Sequence, residues 1–90
     1  MLHIKSVKYL SDYKIWIAFD DGTEGQIDLQ GQLHGPVFDA LKDKAVFAKV
    51  TIDPELATIV WPNGADLAPE FVKALFDNQA GENSSSRAYS

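Results

Sequence analysis

The feature that most restricts this chain is a hairpin signal. An apolar run, Lys14-Ile15-Trp16-Ile17-Ala18-Phe19, meets Asp20-Asp21-Gly22 and then an alternating run from Thr23 to Leu29. Asp-Gly accepts the positive φ that tight hairpin turns require. In the first run Ile15, Ile17 and Phe19 share one face, while Trp16 and Ala18 share the other. A strand apolar on both faces is central, or covered on both sides. In the second run Gly25, Ile27 and Leu29 point one way, and Glu24, Gln26 and Asp28 point to water. Residues 3–10 are also rich in strand formers, with a change of phase between Ile4 and Val7 that predicts a bulge there. With Ser11-Asp12-Tyr13 as a turn, the first half reads as an antiparallel meander.

The second half is more broken. Pro36 stands where a first helical residue is tolerated, and Val37, Phe38 and Leu41 repeat at helical spacing, so a short helix is expected over 36–42. Asp39 and Lys42 suit the two ends of its dipole. Val46 to Ile52 predicts a strand in its second half, Asp53-Pro54-Glu55 turns the chain, and Leu56 to Trp61 returns as the partner strand. Pro62-Asn63-Gly64 ends that strand with Pro and Gly at favoured turn positions. Pro69 opens a last helix with Phe71, Val72, Leu75 and Phe76 as its apolar face and Lys73 outward. The total is about five strands and two short helices without strand–helix alternation. That pattern is α+β: a mostly antiparallel curved sheet with the two helices packed on it. Residues 1–78 make a single domain, and 79–90, which are almost devoid of apolar side chains, are expected to be a disordered polar tail.

Composition removes several chemistries. The chain has no cysteine, which excludes disulfides, thiolate zinc sites and cysteine nucleophiles. With no disulfide, no membrane-length apolar run and no signal-like block after Met1, a cytoplasmic location is expected. The net charge is −5, the lysines are scattered and the single arginine is Arg87. Neutralising phosphates needs clustered basic residues, so no direct nucleic-acid contact is expected. Asp20, Asp21, Glu24 and Asp28 form the densest acidic segment. They read as a solvated hairpin rim or as a docking patch for a basic partner, the second being sensitive to salt. A small core and free strand edges leave room for a homodimer.

No catalytic, cofactor or metal site emerges. His3 and His34 are the only histidines and have no metal-ligand spacing. The carboxylate pairs Asp20-Asp21 and Asp53…Glu55 lie in turns, where water leaves a carboxyl ordinary, whereas catalytic acids need partly desolvated clefts. Phosphate-binding loops, nucleophile elbows and dinucleotide fingerprints are missing. Trp16 and Trp61 each have two readings, core packing or an anchor for a ligand or partner.

The segment Trp61-Pro62-Asn63-Gly64-Ala65-Asp66-Leu67-Ala68-Pro69-Glu70 is the most distinctive. It resembles the signature of a widespread bacterial family of small domains of unknown function, Trp-Pro-Asn-Gly-Ala-Asp-Leu/Ile-x-Pro-Glu. Phe19-Asp20-Asp21-Gly22, Gly35-Pro36-Val37-Phe38…Leu41-Lys42-Asp43 and Phe47…Val50…Ile52-Asp53 also fit, so the likeness spans residues 1–76. It implies an α+β fold. Some longer relatives carry a helix-turn-helix domain, and short ones often resemble antitoxins encoded beside small toxin-like proteins. After Phe76 this chain reads as polar, so DNA reading by a helix-turn-helix is not expected of it.

Read physically, Pro62 presets the turn and Gly64 supplies a conformation costly to other residues. Asn63 and Asp66 then either accept backbone N–H bonds as a structural clasp or face outward as a recognition site. Three functions follow. The first is a protein-interaction module, antitoxin-like, with a small toxin-like protein as partner. The second is an accessory to a separate DNA-binding regulator. The third is a small-ligand binder or enzyme built on Trp61 to Asp66.

Overall fold

In the computed structural model, the backbone is described for residues 2–88 and the side chains for residues 2–79. Strands β1 (Ile4–Ser11), β2 (Lys14–Phe19) and β3 (Glu24–Asp28) form one antiparallel sheet in that order. Helix α1 (Pro36–Asp39) runs into a 3₁₀ turn (Ala40–Lys42), and α2 (Lys44–Phe47) follows. Strands β4 (Thr51–Ile52), β5 (Ile59–Val60) and β6 (Asp66–Leu67) make a second antiparallel sheet, and α3 (Pro69–Ala88) ends the order.

The first sheet follows the sequence pattern closely. Ile15, Ile17, Phe19, Ile27 and Leu29 are buried together. The bulge lies between Ile4 and Ser6. It lets Ile4 and Val7 face the same core despite their odd spacing, with Ile4 opposite Phe19 and Val7 opposite Ile17. The hairpin closes as expected: Gly22 sits at φ 89° and the Phe19 N–H donates to the Thr23 carbonyl at 2.8 Å.

The expected single five-stranded sheet is instead two three-stranded sheets. β4 packs against β1, and the Ile4 N–H donates across the join to the Ala57 carbonyl at 3.1 Å. The ladder does not propagate, because the join falls where both chains bend. Ile4 borders the bulge, and Ala57 holds φ 55° at the end of the Asp53 turn. The added strand, β6, begins inside the signature segment, which returns along β5 before the helix starts. Of residues 46–52 only Thr51 and Ile52 form a strand, in the second half as expected, and Val46 and Phe47 are helical. The Asp43 carboxylate accepts the Ala45 N–H at 2.9 Å and caps α2, a local bond that competes with extension.

Helix α3 packs Val72, fully buried, and Leu75 and Phe76, half-buried, onto the core. Phe71 does not join them and stays 42% exposed, since a narrow sheet accepts less of a helix than the full apolar arc. The helix runs beside β3. Lys73 lies 3.4 Å from Asp21, the Phe76 ring packs edge-on to Phe19, and Gln79 reaches Asp28. The Gln79 amide accepts from the Asp28 N–H and donates to the Asp28 carbonyl, as a neighbouring strand would. A helix thereby covers part of an edge that would otherwise invite pairing. The remainder of the segment read as a tail, 80–90, lies outside the residues whose side chains are described.

Gly25 makes this packing feasible. A Cβ there would stand 2.7 Å from the Phe76 ring, which is itself held against Phe19. Gly25→Ala is expected to lower unfolding free energy by about 1–3 kcal/mol, measured by urea titration. An unchanged midpoint would show that α3 does not depend on this contact.

Candidate functional site

The signature turn is built around Trp61. Its backbone N–H donates to the Ala65 carbonyl at 2.9 Å, and its carbonyl accepts the Gly64 N–H at 3.0 Å. Gly64 has φ 90°, so this turn repeats the Phe19–Thr23 hairpin, with the glycine in the same place. The Trp61 ring is 3% exposed, its Nε1–H donates to the Phe47 carbonyl at 2.9 Å, and its ring lies 5.7 Å from that of Phe47. A ring so enclosed is a core group and offers no stacking face to a ligand.

Asn63 and Asp66 part company. Asn63 Oδ1 accepts the Ala65 N–H at 3.1 Å and Nδ2 donates to the Val37 carbonyl at 2.8 Å, tying the turn to α1. Asn63 is the clasp. Asp66 is exposed on β6, opposite Val60, and borders a shallow cleft with His34, Leu33, Phe38, Leu67 and Phe71. Pro62 is exposed at the turn's tip.

The other predicted residues lie on the first hairpin. Trp16 pairs with Lys8 on one side and Gln26 on the other, on the face of the sheet turned away from the core. Ala18 follows it between Ser6 and Glu24. Trp16 and Ala18 are half-buried, and Lys8, Glu24 and Gln26 beside them are exposed.

The acidic rim is divided by local bonds. Asp20 accepts from His3 twice, from the ring Nδ1 at 2.8 Å and from the backbone N–H at 3.1 Å. These bonds, led by that from the ring, hold its carboxyl below the ordinary range. Asp21 accepts the Thr23 N–H at 2.9 Å, which lowers its carboxyl too, with help from Lys73. Asp28 accepts the Gln30 N–H. Glu24 is exposed beside the Trp16 face. Elsewhere Lys44 pairs with Asp12 at 2.9 Å, lowering the Asp12 carboxyl and raising the Lys44 ammonium. Among the described residues no three His, Asp or Glu groups gather in a way that could hold a metal ion.

One region was not singled out from sequence. A cleft of ≈570 Å³ opens between the Gln30–Gly35 loop and the core, bordered by Tyr13, Leu33, His34, Phe38, Lys42 and Phe47. Its only sequence signal is the glycine pair Gly31 and Gly35, both at positive φ, which frame the loop.

The chain belongs to a family of proteins of unknown function, DUF2442, whose family model matches residues 4–77. No curated protein and no solved structure matches it. None of the described helices is long and apolar enough to cross a membrane.

Two outcomes test the division of labour in the turn. Asn63→Ala is expected to cost about 1–2 kcal/mol by thermal melting, and Asp66→Ala less than about 0.5 kcal/mol. The reverse order would reassign the clasp to Asp66. A pH series addresses the lowered carboxyls. Their folded values lie below the unfolded one, so their contribution is complete above about pH 3.9 and fades as pH falls through the lower folded values. Asp20→Asn is expected to flatten the acid side of the melting profile. An unaltered profile would deny the His3 pair any role in folding.

Proposed function

We propose that this chain is a non-catalytic protein-interaction module that docks a protein partner on the outer face of the β1–β3 sheet. The observation that carries this reading is Trp16. It is the largest side chain on the outer face, half-buried beside exposed Lys8, Glu24 and Gln26, whereas Trp61 is spent on the core. Tryptophan at the middle of a face ringed by polar groups is the composition of an interface anchor. Lys8 and Gln26 flank it directly, and Glu24 stands one rung away.

The resemblance of short relatives to antitoxins supports a small toxin-like protein as the partner and a cytoplasmic setting. The net charge of −5 favours a role beside a DNA-binding protein over direct contact with DNA. Asp20 and Asp21 are oriented by His3 and Thr23 and stay ionised, and Glu24 adds a negative charge beside Trp16. Salt is therefore expected to weaken association mildly, not to abolish it.

The test is co-purification of the full chain with the protein encoded beside it in its source genome, using wild type and Trp16→Ser. Loss of the anchor is expected to weaken association by about 2 kcal/mol or more, roughly 30-fold. Melting should change by less than about 1 kcal/mol, since only cross-strand contacts are removed. Association that survives Trp16→Ser undiminished would overturn the placement of the interface. A neighbour that never co-purifies would overturn the antitoxin-like reading.

A further inference from the structure

The ≈570 Å³ cleft lies on the core side of the first sheet, away from Trp16, and the interaction reading makes no use of it. Its volume falls within the range of about 300–1,000 Å³ typical of small-molecule sites. Protein interiors are close-packed, yet two residues on its border, Phe47 and Leu41, belong to the core at 0% and 2% exposure. Those two residues therefore form the floor beneath the cleft, and an occupant would touch Tyr13, Leu33 and Phe38, which are partly exposed.

The walls are held in place before anything binds. The Tyr13 hydroxyl donates to the Lys42 carbonyl, and the Tyr13 ring meets Phe47 edge-on at 5.4 Å. The Phe47 carbonyl is itself anchored by the Trp61 indole. Preorganised walls spare a ligand the cost of ordering them. The roof is looser. Gly31 and Gly35 have φ 75° and 103°, and nothing lies within 4 Å of where their Cβ atoms would stand. The Gln32 N–H bond to the Leu29 carbonyl fixes only the start of the loop.

The polar groups at the border are few. Lys42 supplies a permanent positive charge, and His34 and Gln30 add polar atoms. Asp39 lies 3.6 Å from Lys42, but both are well exposed, so the pair is weak and Lys42 remains available. The same Asp39 disfavours a second negative charge on a ligand. We infer that the cleft is a binding site for a small monoanionic molecule with a flat apolar body. The body lies among Tyr13, Leu33 and Phe38, and a single carboxylate faces Lys42 and His34.

The experiment is an amide NMR titration of the full chain with 2-naphthoate, and with neutral naphthalene-2-carboxamide as comparator. It needs no protein partner, so its outcome is separate from that of the Trp16 test. Saturable shifts confined to residues 29–47, with Kd below about 1 mM for naphthoate, are expected. Lys42→Met, which alters an exposed side chain, should weaken naphthoate about threefold and leave the carboxamide unchanged. Leu33→Trp, which fills the cleft from the loop, should abolish both. Equal affinity for acid and amide would overturn the anionic class. Absence of saturation, or shifts centred on the exposed Phe71, would overturn the site.

Discussion

The indole N–H of Trp61, donating to the Phe47 carbonyl, is the contact on which the rest of the structure depends. Phe47 ends α2, and Trp61 enters the turn between β5 and β6. The bond therefore closes the second half of the chain on itself. The Phe47 ring then meets Tyr9 and Tyr13 edge-on, at 6.1 and 5.4 Å, and so carries the connection into the first sheet. Two sheets joined through the Ile4 N–H at the Ala57 carbonyl need such a bridge. The aromatic group supplies it in buried area and in ring geometry, and the indole adds a second donor to a helix-end carbonyl that also accepts the Val50 N–H at 3.2 Å.

Much of this was legible in the chain. Alternation and the Asp-Asp-Gly turn dictate the first sheet, because a period of two admits only one face to the core. The second half was harder to read, for reasons visible in particular residues. Val46 and Phe47 carry strand-like side chains, but the Asp43 cap starts a helix at Lys44. β6 is two residues long, too short to show any period. The division into two sheets depends on a bulge and on Ala57 at positive φ, and an alanine gives no warning of that conformation.

The candidate site was legible in part for the same reasons. Trp16 had two readings in sequence, core packing or an exposed anchor, and the structure places it half-buried on the outer face of the sheet. The signature turn declared itself, but its two polar residues looked equivalent in sequence. Only the fold separates Asn63, whose amide spans Ala65 and Val37, from Asp66 on the rim. The cleft under the Gln30–Gly35 loop had almost no signal, since its walls come from four separate segments. Trp61 and Asn63 hold the fold, Trp16 lies half-buried on the outer face of the first sheet, and a cleft opens on the opposite side.

The most direct measurement on this account is urea unfolding of Trp61→Phe. That variant leaves Trp16 as the only tryptophan, so fluorescence reports on the first sheet while far-ultraviolet circular dichroism reports on the whole chain. The account predicts coincident transitions at a lower midpoint, with a loss of about 1–3 kcal/mol for the missing indole hydrogen bond and the space left by the smaller ring. An unchanged midpoint, or a first sheet that unfolds separately from the rest in the wild type, would contradict it.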